Sequence, residues 1–78
     1  MTRDMIKAIR MVNGINPDLR IKADNVNKTA LYEFLKEHRI AIFGSKYAVI
    51  PDPATKEFDK FDRMINAAVY SVIEGKGD

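Results

Sequence analysis

Residues 27–52 read NKTALYEFLKEHRIAIFGSKYAVIPD, and two hydrophobic patterns meet there with almost no chain between them. Ala30, Leu31, Phe34 and Leu35 recur at i, i+1, i+4 and i+5, which places one apolar stripe on a helix capped by Asn25 or Asn27. Residues 39–43 and 46–50 then flank Gly44-Ser45, and Gly at the first central position of a two-residue turn fits a type II′ hairpin. In that register Ile42 faces Tyr47 and Ile40 faces Val49 on a core side. Phe43 lies opposite Lys46, and Ala41 opposite Ala48, on the other.

The flanking segments extend the pattern. Thr2 followed by RDMIKAIRMV reads as an N-capped helix with the stripe Met5, Ile6, Ile9 and Val12, stopped by Asn13-Gly14. Ile15-Asn16-Pro17-Asp18 is turn chemistry. Leu19, Ile21 and Ala23, alternating with Arg20 and Lys22, predict a brief strand with a basic outer face. Pro51-Asp52-Pro53 closes the hairpin, with Pro53 at the first position of a new helix. Phe58, Phe61, Ile65, Ala68 and Val72 then repeat at threes and fours as far as Glu74. Such a helix would span roughly 33 Å, and its stripe is covered either in part by a second copy of the chain or, within the monomer, by the hairpin and helix one.

The expected architecture is therefore α+β, a small single domain over residues 1–78 in the order α-β-α-β-β-α, with a β-hairpin and a long C-terminal helix. Its core should include Ile9, Leu31, Phe34, Leu35, Ile40, Ile42, Val49, Phe58, Phe61, Ile65 and Val69. At 78 residues only about 60–70% of the unfolded surface can be buried. Phe34→Ala should accordingly cost about 3–5 kcal/mol, enough to unfold so small a domain.

With no Cys and one His, disulfides and thiolate metal sites are excluded, and no cofactor is expected. His38 sits between Glu37 and Arg39 at a helix end, where a cation is favoured by the dipole. Asp59 and Asp62, with Asp52 and Glu57 nearby, are acids near a helix start, again where the dipole favours them. Gly44-Ser45-Lys46 lacks the glycine pattern of a phosphate loop, and Ser45 and Ser71 have no base partner. An enzyme is not expected. The N-terminus has neither the apolar core of a signal peptide nor a membrane-length apolar run, so the expectation is a soluble cytoplasmic protein without membrane contact.

Net charge is +2, unevenly distributed: residues 1–50 carry nine Lys and Arg against five acids, and residues 51–78 four against six. The first two thirds are thus the expected face for an anion and the tail the expected solvated helix, and the residues that could serve the anion are Lys28, Thr29, Tyr32, Lys36, Arg39 and Lys46, with Tyr47 read as core. A helix in the major groove with a hairpin tip over the backbone needs side chains of this kind.

On these residues the run from 26 to 61 resembles the excisionase and MerR-type family of small winged helices. In that family a recognition helix bearing Thr, Tyr and Lys leads into a strand, a short Gly-containing wing and a second strand ending near Pro. The resemblance covers about half of the chain and implies DNA binding through Lys28, Thr29, Tyr32 and Lys36, with Lys46 at the wing. It further implies a regulatory or accessory role on phage or mobile-element DNA. Upstream, DLRIKADNVN stands where the family has its first helix, so helix one would pack in its place. The other reading is a small protein-binding module, such as a phage inhibitor of a host or defence protein, using the Ala41/Ala48 sheet face or the C-terminal helix, which is also the expected homodimer contact.

Overall fold

The computed structural model describes residues 2–20 and 25–74. Among the described residues four α-helices carry the fold: α1 (Arg3–Ile15), α2 (Asn25–Glu37), α3 (Arg39–Phe43) and α4 (Lys56–Glu74), with 3-10 turns at Pro17–Arg20 and Ser45–Tyr47. Among the described residues there is no strand, so the α+β, winged-helix-like expectation is corrected to an all-helical bundle. Its radius of gyration, 11.9 Å, is close to the ~11.5 Å of a globule of this length.

Helix α1 begins as its sequence dictates. Thr2 is the N-cap, its hydroxyl accepting from the Met5 amide at 3.3 Å. Asn13-Gly14 does not stop it. The helix runs on to Ile15 and closes where Pro17 forces Asn16 out of the helical region (φ −147°), with the Asn16 amide donating to the Val12 carbonyl at 2.8 Å. Of the strand expected over 19–23, Leu19 and Arg20 belong to the 3-10 turn, and residues 21–24 lie outside the described residues.

The hairpin is the main correction. Ile42 donates to the His38 carbonyl at 3.1 Å and Gly44 to the Ile40 carbonyl at 2.9 Å, the i to i−4 bonds of a helix. Adjacent Ile42 and Phe43 are both buried, while Ile40 and Val49, expected to pair on the core side, are 47% and 82% exposed. Burying neighbours is what a helical turn does and what an alternating strand cannot. Two reasons favour the turn. A lone two-stranded hairpin is marginal in water, and among the described residues no third strand supports it. In addition, the Arg39 guanidinium takes three carbonyls: Nη1 donates to Lys36 at 3.0 Å, Nε to Tyr47 at 2.7 Å and Nη2 to Ala48 at 2.5 Å. Residues 47 and 48 are thus tied to the end of α2 and not to a strand partner.

Helix α4 starts later than expected. Asp52 instead organises a turn, its carboxylate accepting from the Ala54 amide at 2.9 Å and its carbonyl from the Thr55 hydroxyl at 2.7 Å. Thr55 then caps the helix, accepting from the Phe58 amide at 3.3 Å. At 19 residues the helix is about 28 Å long.

Its stripe is covered within one chain. Phe61, Ile65, Ala68, Val69 and Val72 pack with Ala8, Ile9 and Val12 of α1, Leu31 and Leu35 of α2, and Ile42 and Phe43 of α3. The most extensive helix contacts are α1 with α4 and then α2 with α4. Most of the expected core is found there. Ile40 and Val49 are outside it, and Phe34 and Phe58 are half-buried at its edge.

Candidate interaction surface

The six side chains singled out for DNA do not form one open face. Helices α2 and α4 run antiparallel, because Lys28 reaches Tyr70 near one end of α4 and Tyr32 reaches Asp62 nearer the other. Lys28 Nζ lies 5.4 Å from the centroid of the Tyr70 ring. The Tyr32 hydroxyl donates to Asp62 Oδ1 at 2.5 Å, and the same carboxylate accepts from Asn66 Nδ2 at 3.2 Å. Lys36 pairs with Glu33 at 3.1 Å and stands 5.6 Å over the Tyr32 ring. Thr29 is exposed. Arg39 is spent on the three carbonyls it clamps, and Lys46, exposed, lies 5.2 Å over the ring of Tyr47. Two of the six, Lys28 and Tyr32, therefore lie against α4, and the other four are divided among α2, α3 and the turn that follows.

Tyr32 titrates accordingly. Burial, then the hydrogen bond to Asp62, then the negative charges of Asp62 and Glu33 push its phenol from the ordinary 10.0 up to about 12. His38, at the α2–α3 junction, packs its ring against Phe34 with centroids 4.4 Å apart. Among the described residues no group of three or more His, Cys, Asp or Glu is placed to hold a metal ion, and no helix is long and apolar enough to cross a membrane.

The surface that the hairpin reading concealed lies where the segment 46–51 crosses the start of α4. Tyr47, Val49, Pro51 and Phe61 line an open groove, with Lys46, Lys60 and Glu57 at its rim. Tyr47 is anchored there by Phe43 and Phe61, each with its ring centroid 6.2 Å away. Arg39, holding the Tyr47 and Ala48 carbonyls, fixes the backbone of the groove wall. At about 240 Å³ the groove is smaller than the ~300–1,000 Å³ usual for small-molecule sites. Ile50, between two residues of its lining, is exposed as well.

Lys60 also lines an adjoining depression with Lys56, Asp59 and Arg63. Positions 56, 60 and 63 follow i, i+4, i+7 on the exposed side of α4, opposite Phe61 and Ile65. That spacing was present in the sequence as the complement of the apolar stripe. The exposure of Val49 was not, since alternation assigned it to the core.

The class these features define is a small helical bundle with an apolar, cation-rimmed groove. No family model matches the chain, and neither a curated protein nor a solved structure matches it. The winged-helix resemblance thus rests on the residues that carry it, without the strands and wing it implies.

Proposed function

We propose that the chain is a small protein-binding module, a non-catalytic one, that docks a partner protein through the groove between residues 46–51 and α4. The observation that carries this reading is the exposure of Val49, at 82%, directly after the two carbonyls that Arg39 holds. An apolar side chain held in water by a hydrogen-bonded support contributes nothing to folding and is available for burial by a partner. The cytoplasmic location expected from the sequence belongs to the same proposal.

The test is a photo-crosslinking amino acid at position 49, exposed to a lysate of the source cell with and without excess unlabelled protein. A discrete adduct that the unlabelled protein competes away supports the reading. Adducts that merely track protein abundance contradict it.

DNA binding stands as a second reading, favoured by a different observation. Arg3, Lys7 and Arg10 on α1, like Lys56, Lys60 and Arg63 on α4, form exposed rows with no ion pair among the described residues, and such rows suit phosphates. Any regulatory role on phage or mobile-element DNA goes with this reading. Anisotropy of a mixed-sequence duplex across salt concentrations separates the two, because phosphate contacts weaken steeply with salt and an apolar contact hardly does.

A further inference from the structure

Resting on the protein-docking reading, we infer that the partner segment is acidic, with an apolar anchor between its carboxylates. The anchor occupies the floor made by Tyr47, Val49, Pro51 and Phe61. The flanking acids face Lys46 and Lys60 at the rim and continue over Lys56 and Arg63.

Charge complementarity carries the argument. The groove and the adjoining depression share Lys60, so they form one continuous surface. Its lining holds four cations, Lys46, Lys56, Lys60 and Arg63, against two acids, Glu57 and Asp59. None of the four cations is in an ion pair among the described residues, where the only pair is Lys36 with Glu33. The other two acids of the region are turned to structural work: Asp52 caps the turn before α4, and Asp62 accepts from Tyr32 and Asn66. The surface therefore keeps an excess of positive charge beside an apolar floor.

That pairing selects among occupants. A nucleic acid would use the cations but would leave Val49 and Pro51 without an apolar counterpart. A purely apolar segment would fill the floor and strand the lysines beside desolvated carbon. An acidic segment with an apolar anchor satisfies both, and the opposite charges steer its approach.

The test uses the full chain and fluorescein-labelled peptides in which a Leu-Phe pair is flanked by Glu and Asp, by Gln and Asn, or by Lys, with a fourth peptide carrying Ser-Ser between the acids. A mixed-sequence DNA duplex and a sedimentation run of the protein alone complete the set. The acidic Leu-Phe peptide should bind best. Lys46→Ala with Lys60→Ala should weaken it roughly tenfold, and Val49→Ser should weaken it several-fold. Both variants alter exposed side chains, so circular dichroism should show them folded.

If the neutral or the basic peptide binds as well as the acidic one, the acid preference is overturned while docking in the groove stands. Failure of every Leu-Phe peptide overturns both readings. Equal binding of the Ser-Ser peptide, or displacement of the acidic peptide by the duplex, would make the surface a general polyanion site. A dimer dissociated by Val49→Ser would make the occupant a second copy.

Discussion

The hydroxyl of Tyr32 on α2 donates to the carboxylate of Asp62 on α4 at 2.5 Å, and Asn66 steadies the other carboxylate oxygen. This bond joins two antiparallel helices at the rim of the core. It converts a residue that the sequence offered as a DNA contact into a positioning element of the bundle.

Because the phenol's pKa is pushed up from 10.0 to about 12, the bond should make stability depend on alkaline pH. Ionisation is disfavoured in the folded state and ordinary in the unfolded one. The contribution of Tyr32 is thus complete below pH 10.0 and lost as pH rises toward about 12. Tyr32→Phe should cost about 1.5–3 kcal/mol at neutral pH, the net worth of a hydrogen bond to a charged acceptor. The difference between wild type and Tyr32→Phe, measured by urea unfolding, should stay constant to pH 10 and shrink above it. Tyrosinate absorbance should lose its latest-titrating component in the variant. A phenol that ionises at its ordinary value would show that the bond does not persist in solution.

Arg39 binds three carbonyls across two segments, so Arg39→Ala should cost about 2–3 kcal/mol. It should also speed hydrogen exchange in residues 44–50 more than in α1. Arg39→Lys should recover less than half of the loss, since an ammonium cannot reproduce the planar fork. Equal stability of Arg39→Lys and wild type would count against the clamp.

Two glycines should respond with opposite signs. Gly44 has φ +111° and ψ 163°, a region nearly closed to L side chains, and a Cβ there would meet no atom within 4 Å. Gly44→Ala should therefore destabilise through backbone strain alone, by about 1–3 kcal/mol. Gly14 lies inside α1 with the same open surroundings, so Gly14→Ala should stabilise by about 0.5–1 kcal/mol. Thermal melts of both variants check the pair.

Leu35 is fully buried, whereas Phe34 is half-buried against His38. Leu35→Ala should cost about 2–5 kcal/mol, and Phe34→Ala distinctly less than the 3–5 kcal/mol of a fully buried phenylalanine. Reversal of that order in chemical denaturation would show that α2 is rotated from the orientation described.

The helices with long amphipathic stripes were legible in the sequence. Met5, Ile9 and Val12, Leu31 and Leu35, and Phe61, Ile65 and Val72 announce their faces by spacing, and Thr2 announces its cap. A helix's own periodicity selects the buried side whatever it packs on. The stop at Asn13-Gly14 misled because helical continuation at Gly14 carries only a small propensity cost, and the decisive break is Pro17.

Residues 39–50 were not legible, and the candidate surface depends on them. A short apolar run suits a strand or a buried helical turn equally by pattern. The choice was made by partners distant in sequence or not visible in the spacing: Phe61 receiving Tyr47, the core admitting both Ile42 and Phe43, and Arg39 reaching the Tyr47 and Ala48 carbonyls. The sequence by itself determined where helices form and which faces they bury, because those preferences are local and repeat every turn. Only the tertiary structure decided that Val49 stands in water beside Lys46 and Lys60 and that Tyr32 is bound to Asp62, because those outcomes depend on which helix lies alongside.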